Sequence, residues 1–438
     1  MFEFLRRSSP LWAHASFNRL WAAQALSAFG NRITRTALPI IAVAVLAATP
    51  GEAAFLAAVS LAPMILAGLL GGGFVERSNK LRLMVVMDLV RFAVVIVAPI
   101  AWYFDVLSFP LLCGMAAVSG LASALFANAD ISILPRLVGK GELVEANSRL
   151  QATESIAELT GPGVAGVLID LLTAPIAMIA DALTFLWSAF WLWRIPKEAG
   201  RPAESVEPAA RAAPLSNLWK DLTVGFRAVV HRPPLRAILM AVGFYFIAAG
   251  FFAALFMIFM LRELKLSAAI VGAIISVGGA SALLGSLTAR PLAKRIGFGP
   301  ALVSGFTLSV AGVLLLIPAA YLQGWAAVPF MIGQQLLGDA GIMVFMILST
   351  SLQQKLLPED EIARANGLNQ AVSGFGMMAS ILLAGALAEA IGIRYAMMIG
   401  AGVSLLGILP LLTRHLLAMR DEPQATAPLA SAEAMIAG

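Results

Sequence analysis

The chain has 438 residues, of which 60% are hydrophobic and only 13% are charged, whereas a soluble domain has about 25% charged residues. This composition excludes an ordinary soluble domain and predicts a polytopic membrane protein. The formal net charge is +5, but the basic residues lie in short turns between apolar runs, without interleaved aromatic residues, so no nucleic acid partner is expected. A single cysteine, Cys113, excludes an intrachain disulfide and a thiolate metal site.

Apolar runs predict twelve membrane spans, since about 20 apolar residues cross a hydrocarbon core of about 30 Å. They lie near residues 20–47, 53–75, 83–104, 108–131, 149–171, 175–193, 236–260, 268–290, 299–320, 326–349, 367–390 and 394–413. An even number of spans puts both termini on the same side of the membrane. The turns on that side hold most of the Lys and Arg residues, and the turns on the opposite side hold only Arg262, Lys265 and Arg394. Both termini are therefore predicted to be cytoplasmic, in a multi-pass protein of the cell (inner) membrane.

A linker divides the spans into two groups of six. Residues 198–214 are rich in Pro, Ala and Glu and cannot bury enough surface to fold alone. The segment after them predicts an amphipathic helix, either on the membrane surface or packed on the protein's own cytoplasmic ends. Its apolar face consists of Leu218, Trp219, Leu222, Phe226 and Val229. The predicted domains are a first six-helix bundle at 1–196, a cytoplasmic linker with this helix at 197–235, a second six-helix bundle at 236–416 and a disordered tail at 417–438.

An internal repeat relates the two bundles. Residues 141–155 align with residues 360–374 at an offset of 219, which pairs Glu142 with Glu361 and Asn147 with Asn366. The sequence LAKRIG after span 8 also stands where GFVERSN stands after span 2. Two halves in the same orientation predict a pseudo-two-fold axis along the membrane normal.

Charge is concentrated in the turn between spans 2 and 3. A charge at the centre of a membrane helix costs roughly 2.5–3.5 kcal/mol, so the acid and the base inside span 3 need partners, and the nearest in sequence lie in the turn. We interpret this group as a cytoplasmic latch that holds one conformation. It consists of Gly72, Glu76, Arg77, Asp88 and Arg91, with Arg295 in a degraded copy after span 8.

These residues carry a resemblance to the major facilitator superfamily over nearly the whole chain. The turn is similar to that family's signature, roughly G-x-x-x-D-R-x-G-R-R, at Gly72, Glu76, Arg77 and Lys80. Gly161-Pro162-Gly163 in span 5 resembles the Gly-Pro signature of drug antiporters. Spans 1 and 6 look most like the twelve-helix bacterial efflux branch of macrolide and siderophore exporters. The resemblance implies an all-α fold of two six-helix bundles, with alternating access to a central site near the membrane midplane.

Polar side chains at mid-depth are the candidates for a substrate and proton pathway. They are Asn31, Arg32 and Arg35 in span 1, Gln151, Glu154 and Glu158 in span 5, and Asp339 in span 10. Two carboxylates one helical turn apart repel each other, which favours a proton on one of them, as a proton carrier requires. A permanent ion pair with Arg32 or Arg35 is the alternative. Asp181 in span 6 is expected to have a structural role.

The two glutamates of span 5 have no acidic counterparts in the second half of the repeat. At the offset of 219, Glu154 aligns with Ser373 and Glu158 with Met377, so the shared scaffold does not require these acids.

Together these features predict a secondary active transporter that exports small amphipathic or hydrophobic compounds by proton antiport. The expected partners are membrane lipids, a small-molecule substrate and protons, with a monomeric chain and no cofactor. No enzyme is expected, because the sequence has no phosphate-binding loop, nucleophile elbow or His/Glu metal pair on a span. The alternatives are a lysophospholipid flippase or a solute importer of the same fold, and then a transport-inactive sensor or scaffold.

The latch interpretation makes a prediction about Arg77. Replacing Arg77 with Ala removes a charge on the cytoplasmic face, far from the midplane, so conformational switching slows or becomes biased while the substrate spectrum is unchanged. Transport rates measured across a panel of substrates check this, and a changed spectrum in the variant contradicts it.

Overall fold

The computed structural model describes residue 11 and residues 14–139, 142–196 and 215–420, without the side chains of 64–74, 76–77, 144, 215–222, 359–360 and 363. Within that part the regular elements are all helices, with no β-strand. The predicted linker at 198–214 and residues 421–438 of the predicted tail at 417–438 lie outside the described residues. So do the side chains of Glu76 and Arg77 and the surroundings of Gly72. Residues 417–420 of that tail are described, and two of their carbonyls accept hydrogen bonds from the amides of Phe298 and Gly299.

The helices follow one another closely. Before the linker they are α1 (Ala15–Ile40), α2 (Pro50–Arg77), α3 (Lys80–Val95), α4 (Val97–Tyr103), α5 (Phe109–Val138), α6 (Leu143–Leu172) and α7 (Ala174–Trp193). After it they are α8 (Leu215–Val230), α9 (Pro233–Ile258), α10 (Ala268–Ile296), α11 (Phe298–Leu314), α12 (Leu316–Ala319), α13 (Val328–Leu356), α14 (Glu359–Ile391), α15 (Ile393–Leu406) and α16 (Arg414–Leu417). Local sequence sets several ends: Thr49 and Glu52 form a reciprocal capping box at the start of α2, and Asn79 caps α3.

Ten stretches of the described residues are long and apolar enough to cross a membrane. They are Lys80–Tyr103, Phe109–Val138, Glu145–Leu172, Ala174–Trp193, Pro233–Glu263, Ala268–Ile296, Phe298–Ala319, Gly324–Leu356, Arg364–Ile391 and Ile393–Leu411. The other two predicted spans fall on α1, which carries three arginines, and on α2, where many side chains are not described. The all-helical polytopic class is confirmed, while the count of twelve stays a prediction.

The chain forms two compact units. Unit 1 comprises residues 1–212 and 254–276, and unit 2 comprises residues 213–253 and 277–438. In unit 1, α1 packs between α6 and α7, and α3 packs against α5 and α7. Its interior contains the fully buried side chains of Met178 and Phe185 on α7 and Leu112 on α5.

Unit 2 is built around the close contact of α11 and α13. A Cβ on Gly312 would collide with the backbone of Gly338, and a Cβ on Gly341 would collide with the backbone of Ser309 and Gly305. Small residues therefore let the two backbones approach, as membrane helices commonly do.

The amphipathic helix predicted after the linker corresponds to α8, which packs on α14 of unit 2. A Cβ on Gly225 would collide with the carbonyl of Arg364, and Val229 is buried. Arg232, just beyond the helix, pairs with Glu361 at 2.9 Å. Among the described side chains the structure thus favours packing on the protein's own helices, the second of the two alternatives, although Phe226 remains exposed.

Irregular backbone recurs at matching places in the two halves of the sequence. A π-helical turn follows α1 at Ile41–Val45, and another follows α9 at Phe259–Glu263. Each leads to a non-glycine residue with positive φ, 53° at Ala47 and 55° at Lys265. The shared scaffold that the repeat predicts therefore extends to details of the backbone.

Asp170 near the end of α6 caps the start of α10 within unit 1. Its Oδ1 accepts a hydrogen bond from the amide of Ala268 at 3.1 Å, and its Oδ2 accepts one from Ala269 at 3.0 Å. The first amides of a helix have no acceptor inside the helix, and a negative charge there is stabilising. The same two helices touch at Gly272, where a Cβ would collide with the carbonyl of Pro162.

Removing this cap gives a stability prediction. Replacing Asp170 with Ala leaves two first-turn amides without acceptors, so we expect a loss of about 0.5–2 kcal/mol, the usual range for a helix cap. Hydrogen–deuterium exchange of a peptide covering residues 264–272 should become faster by the corresponding factor. Asp170→Asn keeps one acceptor and should fall between the two, whereas unchanged exchange in Asp170→Ala would contradict the capping role.

Candidate functional site

A three-residue ion cluster joins α1 to α6 in unit 1. The guanidinium of Arg32 bonds to the Glu154 carboxylate, and its second terminal nitrogen lies 3.6 Å from the Glu158 carboxylate. Both glutamates thus approach the same cation. The structure places the two predicted carboxylates beside Arg32, one of the two arginines named in the alternative of a permanent ion pair, and their role stays a prediction.

Glycine explains how Arg32 fits at this place. A Cβ on Gly161 would collide with the Cβ and Cγ of Arg32, so the apolar stem of the arginine lies directly over the α6 backbone. Gly161 follows Glu158 by one helical turn on the same face. Because the stem is held there, the guanidinium reaches back toward the two carboxylates.

The exposed fractions of the three side chains differ greatly. The Arg32 side chain is 11% exposed, whereas Glu154 is 48% exposed and Glu158 is 62% exposed. Both acids lie in the membrane-crossing stretch Glu145–Leu172. Charged side chains at such depth face water-filled cavities or protein rather than lipid. The glutamates therefore lie on an exposed polar face of unit 1, which by this rule is expected to contact water or protein rather than lipid.

The other predicted residues of this group lie on the same two helices. Arg35, one turn beyond Arg32, is exposed and close enough to interact electrostatically with Arg32, Glu154 and Glu158. Gln151 is exposed and Asn31 is half-buried. The structure thus keeps the predicted residues of spans 1 and 5 on contacting helices.

Towards the start of α1, neutral donors replace arginine. Gln24 donates to Asp130 of α5 at 2.5 Å, and the indole of Trp21 donates to Thr153 of α6 at 3.0 Å. The described partner of Asp130 is thus an amide on α1.

Asp339, the acid predicted for span 10, lies in unit 2 beside α10. A Cβ on Gly278 would collide with Asp339 Oδ2 and with the amide nitrogen of Gln335. Tyr245 of α9 lies close enough to interact electrostatically with the Asp339 carboxyl. The hydroxyl of Ser281 ties α10 to α13 by donating to the Leu336 carbonyl at 2.5 Å. Sequence analysis missed Tyr245, which no charge pattern marks.

The two latch residues of span 3 are deeply buried. Asp88 and Arg91 pair with each other, and the Arg91 guanidinium carbon lies 4.4 Å from the ring centroids of both Phe126 and Phe185. The Ser188 hydroxyl lies next to the Asp88 carboxyl. Besides each other, their described neighbours belong to α5 and α7, and the expected partners in the turn, Glu76 and Arg77, have side chains outside the described residues. Arg295, at the end of α10, is exposed.

Among the side chains that the structure describes, no three His, Cys, Asp or Glu residues come together as the ligands of a metal ion would.

A family model and a related protein both point to the same transporter family. The sequence model of the Major Facilitator Superfamily matches residues 20–361 and 257–436. An uncharacterized MFS-type transporter of Bacillus subtilis (strain 168), YvqJ, is 21% identical over 357 residues, which are 81% of each chain.

Solved structures share the fold at low identity. A bacterial homologue of the iron transporter ferroportin, in its inward-facing state, has a TM-score of 0.75 and 15% identity, with 92% of this chain and 98% of that chain covered. A bacterial homologue of the human lysosomal transporter Spinster has a TM-score of 0.68 and 13% identity, with 93% of this chain and 99% of that chain covered. With the family match over most of its length, the chain belongs to the Major Facilitator Superfamily and is a multi-pass membrane transporter of small-molecule substrates.

Proposed function

We propose that this transporter exports small amphipathic or hydrophobic compounds across the cell membrane in exchange for protons, by alternating access. The single observation that carries the proposal is the ion cluster of unit 1, where Glu154 and Glu158 approach one arginine on an exposed polar face. Carboxylates inside a membrane helix are costly and commonly mark proton pathways, so we infer that one of these two acids changes its charge during transport.

The chemistry of the cluster suits a proton exchange. With both carboxyls ionised, the two of them compete for Arg32, and Arg35 one turn away is the second cation close enough to act on them. A proton on Glu158, the more exposed and more distant of the two, leaves a simple ion pair of Arg32 with Glu154. Releasing that proton restores competition for the guanidinium. A cationic or polar group of a substrate can then take the place of the proton at the same carboxylates.

The sequence repeat supports a role beyond scaffolding. The second half keeps the backbone features of the first, including the π-helical turns, but has Ser373 and Met377 where the glutamates stand. An acid pair that only held helices together would be expected in both halves. Its restriction to the first half favours a task that the protein performs once per cycle.

Asp339 and Tyr245 supply a second polar group for the substrate, in unit 2. A carboxyl next to a tyrosine ring and a glutamine offers a charge, an aromatic face and an amide, which suits compounds with both a polar and an apolar part. We assign proton coupling to the glutamates and substrate recognition mainly to this group.

Replacing the glutamates tests the coupling. In liposomes with an imposed pH gradient, and with ethidium as the amphipathic probe, Glu154→Gln and Glu158→Gln should each slow ethidium-dependent proton movement about tenfold, which corresponds to roughly 1.4 kcal/mol. The double variant should abolish it. Glu145→Gln is the matched control, because Glu145 lies on the same helix, is similarly exposed and pairs with Arg149 one turn away.

Several results would contradict the proposal. Normal proton movement in both single variants would exclude coupling through these acids. Ethidium moving in the same direction as the proton would indicate an importer, and movement of a labelled lysophospholipid without any ethidium transport would indicate a flippase. No gradient of any probe would favour a sensor or scaffold.

The division of roles gives a separate prediction for Asp339. Asp339→Asn removes the negative charge facing Tyr245, so the concentration of ethidium at half-maximal transport should rise about tenfold, while the number of protons moved per ethidium stays the same. Asp105→Asn, in the turn after α4, is the control. A changed proton ratio with unchanged affinity would reverse the assignment.

A further inference from the structure

Unit 1 contains a second acidic cluster, which the proposed exchange does not use. Asp88, Arg91 and Asp181 have exposed fractions of 0%, 3% and 0%. Asp88 and Arg91 lie on α3, and Asp181 lies on α7, close enough to interact electrostatically with both of them. Two carboxyl groups therefore share one guanidinium in a part of the protein from which water is excluded.

Arg91 is committed to Asp88. It bonds to the Asp88 carboxylate, and the rings of Phe126 and Phe185 hold the guanidinium between them at 4.4 Å. Cation–π contacts of this kind are strongest where water is excluded. Asp181 therefore lies near a cation that already has its direct partner.

The surroundings of Asp181 are otherwise uncharged. Its Oδ1 accepts a hydrogen bond from the Thr184 hydroxyl at 3.2 Å. From α1 it faces Gly30, where a Cβ would collide with Asp181 Oδ1, and the hydroxyl of Thr34. The charged groups that act on it are Asp88 and Arg91 of α3.

The Thr34 hydroxyl lies beside the Asp181 carboxyl. Within the described part of the chain, Oδ2 of Asp181 has no other donor, and the Thr34 hydroxyl is close enough to hydrogen-bond with the carboxyl. A hydroxyl can donate to a carboxylate or accept from a protonated carboxyl, so this pair suits either state, and a proton on Oδ2 would be donated to the Thr34 oxygen.

The number of charges in the cluster favours a bound proton. Two buried carboxylates against one guanidinium leave an uncompensated negative charge, which is far less stable in an apolar interior than a neutral acid. We propose that the Asp88, Arg91 and Asp181 cluster is a proton-binding site that holds one proton, carried by Asp181 in this arrangement.

The site is separate from the glutamates. Arg32 faces α6, whereas Gly30 and Thr34 face α7, so α1 lies between the two groups of acids. If Arg91 turned from Asp88 to Asp181, the O–H bond at Asp181 would break and Asp88 would take up the proton, which leaves the total charge of the cluster unchanged.

Infrared spectroscopy of the purified full chain in lipid nanodiscs at neutral pH tests the site. The carbonyl stretch of a protonated carboxyl, which is resolved from that of a carboxylate, should be present, and the part of it that Asp181 contributes should be lost in the difference spectrum against Asp181→Asn. That variant is a neutral isostere of the protonated acid, so its melting temperature should stay close to that of the unchanged protein. Glu158→Gln should keep the Asp181 signal, because that acid lies on the other side of α1.

Two further variants test the charge count itself. In Asp88→Asn, Arg91 is left to neutralise Asp181, so the signal should be lost although Asp181 is present. In Asp88→Asn combined with Arg91→Gln, no cation remains and the signal should return. The proposal would be overturned if the unchanged protein has no protonated-carboxyl band, or if its difference spectrum against Asp181→Asn shows no loss in that band. The test is independent of transport, so it can succeed where the proposed export function fails.

Discussion

The arrangement of unit 1 depends on one requirement, that a charge inside an apolar helix be neutralised where it lies. Arg32 on α1 approaches two carboxylates, and Arg91 on α3 bonds to Asp88 with the Asp181 carboxyl near it, so these charges favour particular helix neighbours. Apolar packing alone would leave several rotations of each helix nearly equal in free energy, because lipid tails are as apolar as leucine. An arginine that must reach an acid removes that freedom. The polar groups thus fix the rotation of each helix against its neighbours, and the apolar residues pack around that arrangement.

Glycine makes these contacts possible in both units. Gly30 leaves room for Asp181, Gly161 for Arg32 and Gly278 for Asp339, and in each case a Cβ would collide with atoms of the polar side chain. The charged group consequently approaches a neighbouring helix backbone and is screened from lipid. A glycine in a helix interior costs roughly 0.5–1 kcal/mol relative to alanine, which is small beside the cost of an unpaired charge at this depth. These glycines are therefore better explained by the polar side chain that each leaves room for than by flexibility of the helix.

The sequence predicts the class of the fold well and the site only in part. Apolar runs, turn charges and the repeat at residues 141–155 and 360–374 are local signals, and the helices lie where those signals put them. The pair Glu154 and Glu158 could be predicted because one helical turn fixes their separation. That Arg32 rather than Arg35 makes the contact depends on the rotation of α1 against Gly161, which no spacing along the chain determines. No spacing along the chain places Asp181 beside α1 and α3 either, and its expected structural role stays a prediction.

Several backbone features of this chain recur in both halves, whereas the acidic side chains of its clusters do not. The backbone features that recur in both halves, such as the π-helical turns and the positive φ angles at Ala47 and Lys265, are those that a repeated scaffold needs in order to end a helix in the same way twice. The acids of the two clusters in unit 1 do not recur: they lie on α3, α6 and α7, whereas Asp339 in unit 2 faces a tyrosine and an amide. The backbone scaffold is thus repeated while the acids that we propose as proton sites stand in one half only. Proton exchange, as proposed, requires the two kinds of site to differ, and the loss of repeat symmetry at these acids meets that requirement.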